Sequence, residues 1–283
     1  MTLRCVIQAG DRLGEGPVWS SLEDRLYWFD IKGRRLNWYR PATDESGSFT
    51  LPIRASAAAP RVGGGLLVAT EKGLANFDPL AGTIEIVQPL DLGQGFRSNA
   101  GKIDAAGRFW WGAMDDDGGK RPGAVFLSTP DGATRKALVG VHMPNTLSAS
   151  PDGSVLYVAD SARQAIYAHQ MDDLQQVREV ANTRDGAASP AGSAVDAEGY
   201  IWNAEQRGSR IVRYAPDGAI DRIVETPVSQ PTSCAFGGPD LATLYVTSAW
   251  DELGARRASE PLAGSLFAFE PGVKGLALPL FQG

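Results

Sequence analysis

The chain is poor in the side chains that build most metal and redox centres. It has two histidines, His142 and His169, and two cysteines, Cys5 and Cys234, in 283 residues. Two histidines exclude a multi-histidine zinc site. Two isolated cysteines make neither a disulfide framework nor a C-x-x-C motif, so both are expected to be reduced and buried. No apolar run approaches the ~18 residues that a membrane helix needs. The opening residues, Met1-Thr2-Leu3-Arg4-Cys5-Val6, lack the apolar core and cleavage site of a secretory signal. A net charge of −6 without a basic stripe argues against nucleic acid or a membrane surface as a partner. A cytoplasmic protein is the expectation. No G-x-S-x-G elbow is present, and Gly63-Gly64-Gly65 lack the lysine of a phosphate loop. Helical periodicity is also missing: the best candidate, residues 172–181, is flanked by turn residues and is expected to be loop and strand.

What the chain does have is repetition. An apolar or aromatic triplet recurs six times: Leu26-Tyr27-Trp28, Leu66-Leu67-Val68, Phe109-Trp110-Trp111, Leu156-Tyr157-Val158, Ile201-Trp202-Asn203 and Leu244-Tyr245-Val246. The copies start 40–47 residues apart. Short strands at this period, separated by turns such as Pro130-Asp131-Gly132 and Pro216-Asp217-Gly218, predict an all-β, six-bladed β-propeller with four antiparallel strands per blade. The repeats fill nearly the whole length, so residues 1–283 are expected to form one domain. Ring closure then needs an outer strand from residues 3–9, added to the blade that contains residues 244–247, which removes an exposed edge. Three stretches, 114–123, 185–192 and 250–264, are longer than a hairpin needs and are candidates for functional loops.

The period also says which distant residues meet. Counting back ten or eleven positions from each triplet reaches the start of the strand that lines the axis: Glu15, Ala55 (or Ser56), Asn99, Asn145, Ala191 and Ser233. A carboxylate and two carboxamides in one channel make an oxygen-rich site suited to a hard cation. The same residues could instead hydrogen-bond strand ends around a wet channel.

Several segments resemble the SMP-30/gluconolactonase/regucalcin family of sugar lactonases. They are Leu13-Gly14-Glu15-Gly16-Pro17-Val18-Trp19, Asn99-Ala100-Gly101-Lys102-Ile103-Asp104, Pro144-Asn145, Val195-Asp196-Ala197-Glu198-Gly199 and Cys234-Ala235-Phe236-Gly237-Gly238, in the family's order. The resemblance implies a propeller that opens a sugar (aldono-)lactone to its acid with one divalent cation (Ca²⁺, Zn²⁺, Mg²⁺ or Mn²⁺) at the channel mouth. It further implies Glu15 and Asn145 as metal ligands, Asn99 beside metal and substrate, and Arg97 and Asp117 as substrate contacts.

Two departures bear on this reading. The family's Asn-Asp-Gly is Asn99-Ala100-Gly101 here, and its Pro-Asp-Gly is Pro190-Ala191-Gly192. The second aspartate is the family's third metal ligand and proposed general base. Its counterpart here is Ala191, so no catalytic base is assigned and weakened cation binding is expected. Asp196 is no replacement, because Asp196-Ala197-Glu198-Gly199 parallels Asp104-Ala105-Ala106-Gly107 and both read as turns. Three activities stay open: an impaired lactonase, an inactive or engineered member that binds without turnover, and a phosphotriesterase-like hydrolase.

Overall fold

The computed structural model describes residues 3–283. Six antiparallel sheets of four strands form the six-bladed propeller. Blades 1 to 5 span residues 14–50, 55–89, 96–141, 144–182 and 189–225, and blade 6 combines residues 231–269 with the strand Arg4–Ile7. The first strand of each blade is the inner one: Gly14–Ser20, Ala55–Pro60, Phe96–Ile103, Pro144–Ala149, Ser189–Val195 and Pro231–Gly237. Each inner strand packs against the inner strands of both neighbours, which closes the ring. As the repeat required, Arg4–Ile7 pairs antiparallel with Leu266–Phe269 and covers the last edge of blade 6.

The triplets are continuously apolar because both faces of a blade are buried. In a strand, alternate side chains point to opposite faces, so Leu26 and Trp28 pack toward blade 6 while Tyr27 and Phe29 pack toward blade 2. Trp110 likewise faces blade 4 and Trp111 faces blade 2. The result is six apolar clusters, one between each pair of neighbouring blades. Each large side chain buried there contributes about 1.5–3 kcal/mol.

Asp104 and Asp196 sit in equivalent turns, as their sequences suggested. Asp104 Oδ1 accepts from the backbone N–H groups of Ala106 and Arg108, and Oδ2 accepts from Trp110 Nε1 at 2.7 Å. Asp196 repeats this with Glu198, Tyr200 and Trp202. Residues 172–176 form loop and Val177–Asn182 is a strand. One expectation needs correction. Cys234 is buried, but Cys5 is only partly covered, because it lies on the outermost strand of its blade. Among the described residues no helix is long and apolar enough to cross a membrane.

Candidate active site

Every inner strand carries an irregularity near its start, where its register with the second strand slips. Beyond the slip the pairing is regular, and the middle residue of each triplet faces Val18, Ala59, Lys102, Ser148, Ala194 or Ala235. Three residues before these partners stand Glu15, Ser56, Asn99, Asn145, Ala191 and Thr232, a ring of equivalent positions. The register thus selects Ser56 over Ala55. It replaces the expected Ser233 by Thr232, because the slip in blade 6 falls between Pro231 and Ser233. Bulges re-aim side chains and are common beside active sites. In blade 1 the bulge needs Gly16: its φ is +58°, and a Cβ there would lie 2.0 Å from the Ser56 carbonyl oxygen. Only glycine lets blades 1 and 2 approach so closely.

Glu15 is buried and accepts a hydrogen bond from the Gly16 N–H at 3.1 Å. Burial pushes its carboxyl up to about 8, against the opposing pull of the Gly16 amide and of the positive Arg97 and Lys102. A chain of hydrogen bonds runs through blades 3 to 5. Arg97 donates through Nη1 to Asn99 Oδ1 at 2.7 Å, and Asn99 Nδ2 donates to the Pro144 carbonyl at 3.0 Å and to Asn145 Oδ1 at 3.2 Å. Asn145 Nδ2 donates to Ser161 Oγ at 2.8 Å, and Ser161 donates to the Pro190 carbonyl. Each amide therefore has one orientation.

Three consecutive aspartates divide the work of the 114–123 loop. Asp115 closes it, accepting from the Arg121 backbone N–H and from Arg121 Nη2. Asp116 turns inward and accepts from Arg97 Nε and Arg54 Nη1, each at 2.6 Å. Burial raises the Asp116 carboxyl, but the two guanidinium groups outweigh it and hold the pKa below the ordinary value. Asp117, the expected substrate contact, is not brought to this cluster: it is 73% exposed and pairs with Lys120. Arg54, itself held by Glu71, and Asp116 join this candidate cluster without having been expected from the sequence. His142 Nδ1 donates to the Gly119 carbonyl and braces the same loop.

The two alanines occupy different surroundings. Ala100 lies in the apolar cluster between blades 3 and 4, with Trp110 and Leu147. Ala191, equivalent to Glu15 by register, borders the cluster between blades 5 and 6. Thr146 has φ +68°, a backbone region costly for a β-branched residue, and its hydroxyl donates to the Ala191 carbonyl at 3.0 Å.

The donor set, a carboxyl and amide oxygens, is of the chemical type that a hard cation takes. Glu15 offers a buried carboxyl that a bound cation would keep ionised, and Asn145 offers Oδ1, which also accepts from Asn99 Nδ2 at 3.2 Å. Asn99 Oδ1 is turned toward the Arg97 guanidinium instead, so Asn99 suits substrate better than metal. Among the described residues no group of three or more His, Cys, Asp or Glu side chains converges on a point.

The six-bladed ring thus carries a carboxyl, two amides and an arginine near the starts of the inner strands of blades 1, 3 and 4. The family described as "SMP-30/Gluconolactonase/LRE-like region" matches residues 13–250, and the chain belongs to it. It is 33% identical over 290 residues to a 6-deoxy-6-sulfogluconolactonase of Pseudomonas putida, covering 100% of this chain and 99% of that one. Identity to an L-arabinolactonase of Azospirillum brasilense is 35% over 286 residues, covering 96% and 92%. Among solved structures, a calcium-binding regucalcin from Agrobacterium tumefaciens superposes with a TM-score of 0.93 at 29% identity, covering 99% and 97%.

Proposed function

We propose that this chain hydrolyses a sugar lactone of the aldono-lactone class to its acid, at the channel mouth formed by Glu15, Arg97, Asn99 and Asn145. The observation that carries this reading is the fixed line from Arg97 through Asn99 to Asn145, together with the buried Glu15 carboxyl. The family membership and the lactonase names of the relatives support it. Glu15 and Asn145 would hold one divalent cation, which when bound supplies Lewis acidity toward the lactone carbonyl.

The protein's own groups do the positioning. Asp116 and Asn99 fix the Arg97 guanidinium from two sides, and no hydrogen bond among the described residues uses Nη2, which remains for substrate oxygen. A preorganised guanidinium favours charge developing on that oxygen. Asn99 and Asn145, locked by their partners, orient ring hydroxyls without reorganising. With a methyl group at position 191, no carboxylate from blade 5 takes the proton of the attacking water. Absence of such a base costs about 10²–10⁴-fold in rate, so turnover should be slow. Ala191 is also the observation that favours a second reading, binding of a lactone or acid without turnover.

A panel of pentono- and hexonolactones alongside organophosphate esters, each with added cation and with chelator, tests the proposal. Acid release above the spontaneous rate with lactones only, and only with cation, supports lactonase activity. Saturable lactone binding with no rate above background supports the second reading, and phosphotriester turnover alone removes both.

A further inference from the structure

Further along the inner strands from Glu15 and Asn99 lies a cavity covered by residues 276–280. Lys274 and Gly275 are fixed to blades 5 and 6 through the Ala197 N–H to Lys274 carbonyl bond and the Gly275 N–H to Leu241 carbonyl bond, both 2.9 Å. Phe281 is fixed to blade 2: its N–H donates to the Pro60 carbonyl at 2.8 Å, its carbonyl accepts from Val62, and its ring is buried. Between these anchors Leu276-Ala277-Leu278-Pro279-Leu280 crosses the axis as a strap. Beneath it lies a cavity of about 350 Å³, within the size range of small-molecule sites. Every blade gives it an apolar wall: Val18, Ala58, Ile103, Ala149, Val195 and Phe236.

One cation faces this space. Lys102 lines the cavity, and its buried ammonium donates only to the carbonyls of Pro17 at 3.3 Å and Cys234 at 3.2 Å. An ammonium has three N–H donors, and no carboxylate among the described residues lies within ion-pair distance of it. A buried, unpaired charge is costly and is relieved by an anion. Burial lowers the Lys102 pKa, opposed by its electrostatic coupling to Cys234 and Glu15. Of the polar residues in the lining, Ser148 donates to the Ser193 carbonyl, Ser150 donates to Asp152, Asp104 is held by its own turn, and Ser21 and Asp24 are exposed, so the interior walls suit a hydrocarbon better than a polyhydroxylated sugar acid.

We propose that the strapped cavity binds a small amphipathic carboxylate, an unsubstituted medium-length hydrocarbon chain with one carboxylate, its head on Lys102 and its tail against the six blade walls. The proposal does not depend on the lactonase reading.

The test uses octanoate, titrated calorimetrically into the full-length protein, with octan-1-ol as the uncharged control. Saturable binding of one octanoate is expected, at least ~10-fold tighter than octan-1-ol, as one charge-assisted contact implies. Lys102→Met should remove that preference. Ala149→Leu, which adds bulk to the blade 4 wall and leaves Lys102 in place, should weaken octanoate by a similar factor. No saturable octanoate binding to the wild type, or binding that survives either substitution unchanged, overturns the proposal. Should Lys102→Met fail to fold, equal affinity of the wild type for octanoate and octan-1-ol overturns it instead.

Discussion

Arg97 and Asn99 act as one unit: the guanidinium donates through Nη1 to Asn99 Oδ1 at 2.7 Å, while Asp116 holds Nε at 2.6 Å from behind. Removing the charge behind the guanidinium frees it to move, and small displacements of a positioning group cost on the order of 10²-fold. Asp116→Asn should therefore lower kcat/KM for lactone hydrolysis by about 10–100-fold with an unchanged circular dichroism spectrum. Asp117→Asn, on the solvent side of the same loop, should change it less than about twofold. Equal losses in the two variants would mean that the loop acts as a whole, rather than through Asp116.

The two alanines should respond differently to aspartate. Ala191→Asp places a carboxylate at the ring position equivalent to Glu15 and should raise lactone hydrolysis by about 10²–10⁴-fold. Ala100→Asp places one among Trp110, Leu147 and their apolar neighbours, where an unpaired polar group costs about 1–3 kcal/mol or more. Thermal melts and initial rates on both variants check this. A rate gain from Ala100→Asp that matched the gain from Ala191→Asp would contradict the assignment.

The repeat was legible because its cause is strong and local. Burial of both blade faces forces an unbroken apolar triplet such as Phe109-Trp110-Trp111, and Gly and Asp turns mark its limits. Glu15, Asn99 and Asn145 follow from the spacing, since polar residues stand out where strands start. The choice between Asp116 and Asp117 did not, because three identical neighbours leave the backbone path to decide. Arg54 was missed since it lies just outside the ring of equivalent positions, beside the first residue of its strand. Thr232 displaced Ser233 because a bulge adds a residue that counting along the chain cannot see. The strap at 276–280 follows the last repeat and has no period to betray it.

Glu15 makes stability depend on pH in the absence of cation. Its carboxyl titrates at about 8 in the fold, against an ordinary value of 4.5. The folded protein therefore holds the proton more tightly than the unfolded chain. The resulting stabilisation is complete below about pH 4.5 and is lost as pH rises through 8. Metal-free wild type should lose Tm between about pH 5 and pH 8.5 more steeply than Glu15→Gln, the curves converging at the acid end. Parallel curves would contradict a buried carboxyl that titrates at about 8.

Asp196 should matter for folding and not for chemistry. It accepts from Trp202 Nε1 and from Nε and Nη2 of Arg213, which is 4% exposed. Asp196→Ala leaves these donors short of an acceptor, softened by the pairs Arg213 keeps with Glu198 and Asp221. A loss of roughly 2–4 kcal/mol in denaturant melts is expected, with the hydrolytic rate per folded molecule unchanged. A selective loss of rate at normal stability would assign Asp196 to the active site instead.

The most direct measurement is initial-rate lactone hydrolysis as a function of divalent cation concentration, run on chelator-treated wild type and Glu15→Gln in parallel. The wild type should rise from the spontaneous rate to a plateau as cation is added, and Glu15→Gln should stay near the spontaneous rate at the same concentrations. Wild-type hydrolysis that is undiminished by chelator, or a Glu15→Gln variant that follows the wild-type curve, would contradict a cation-dependent lactone site built on Glu15.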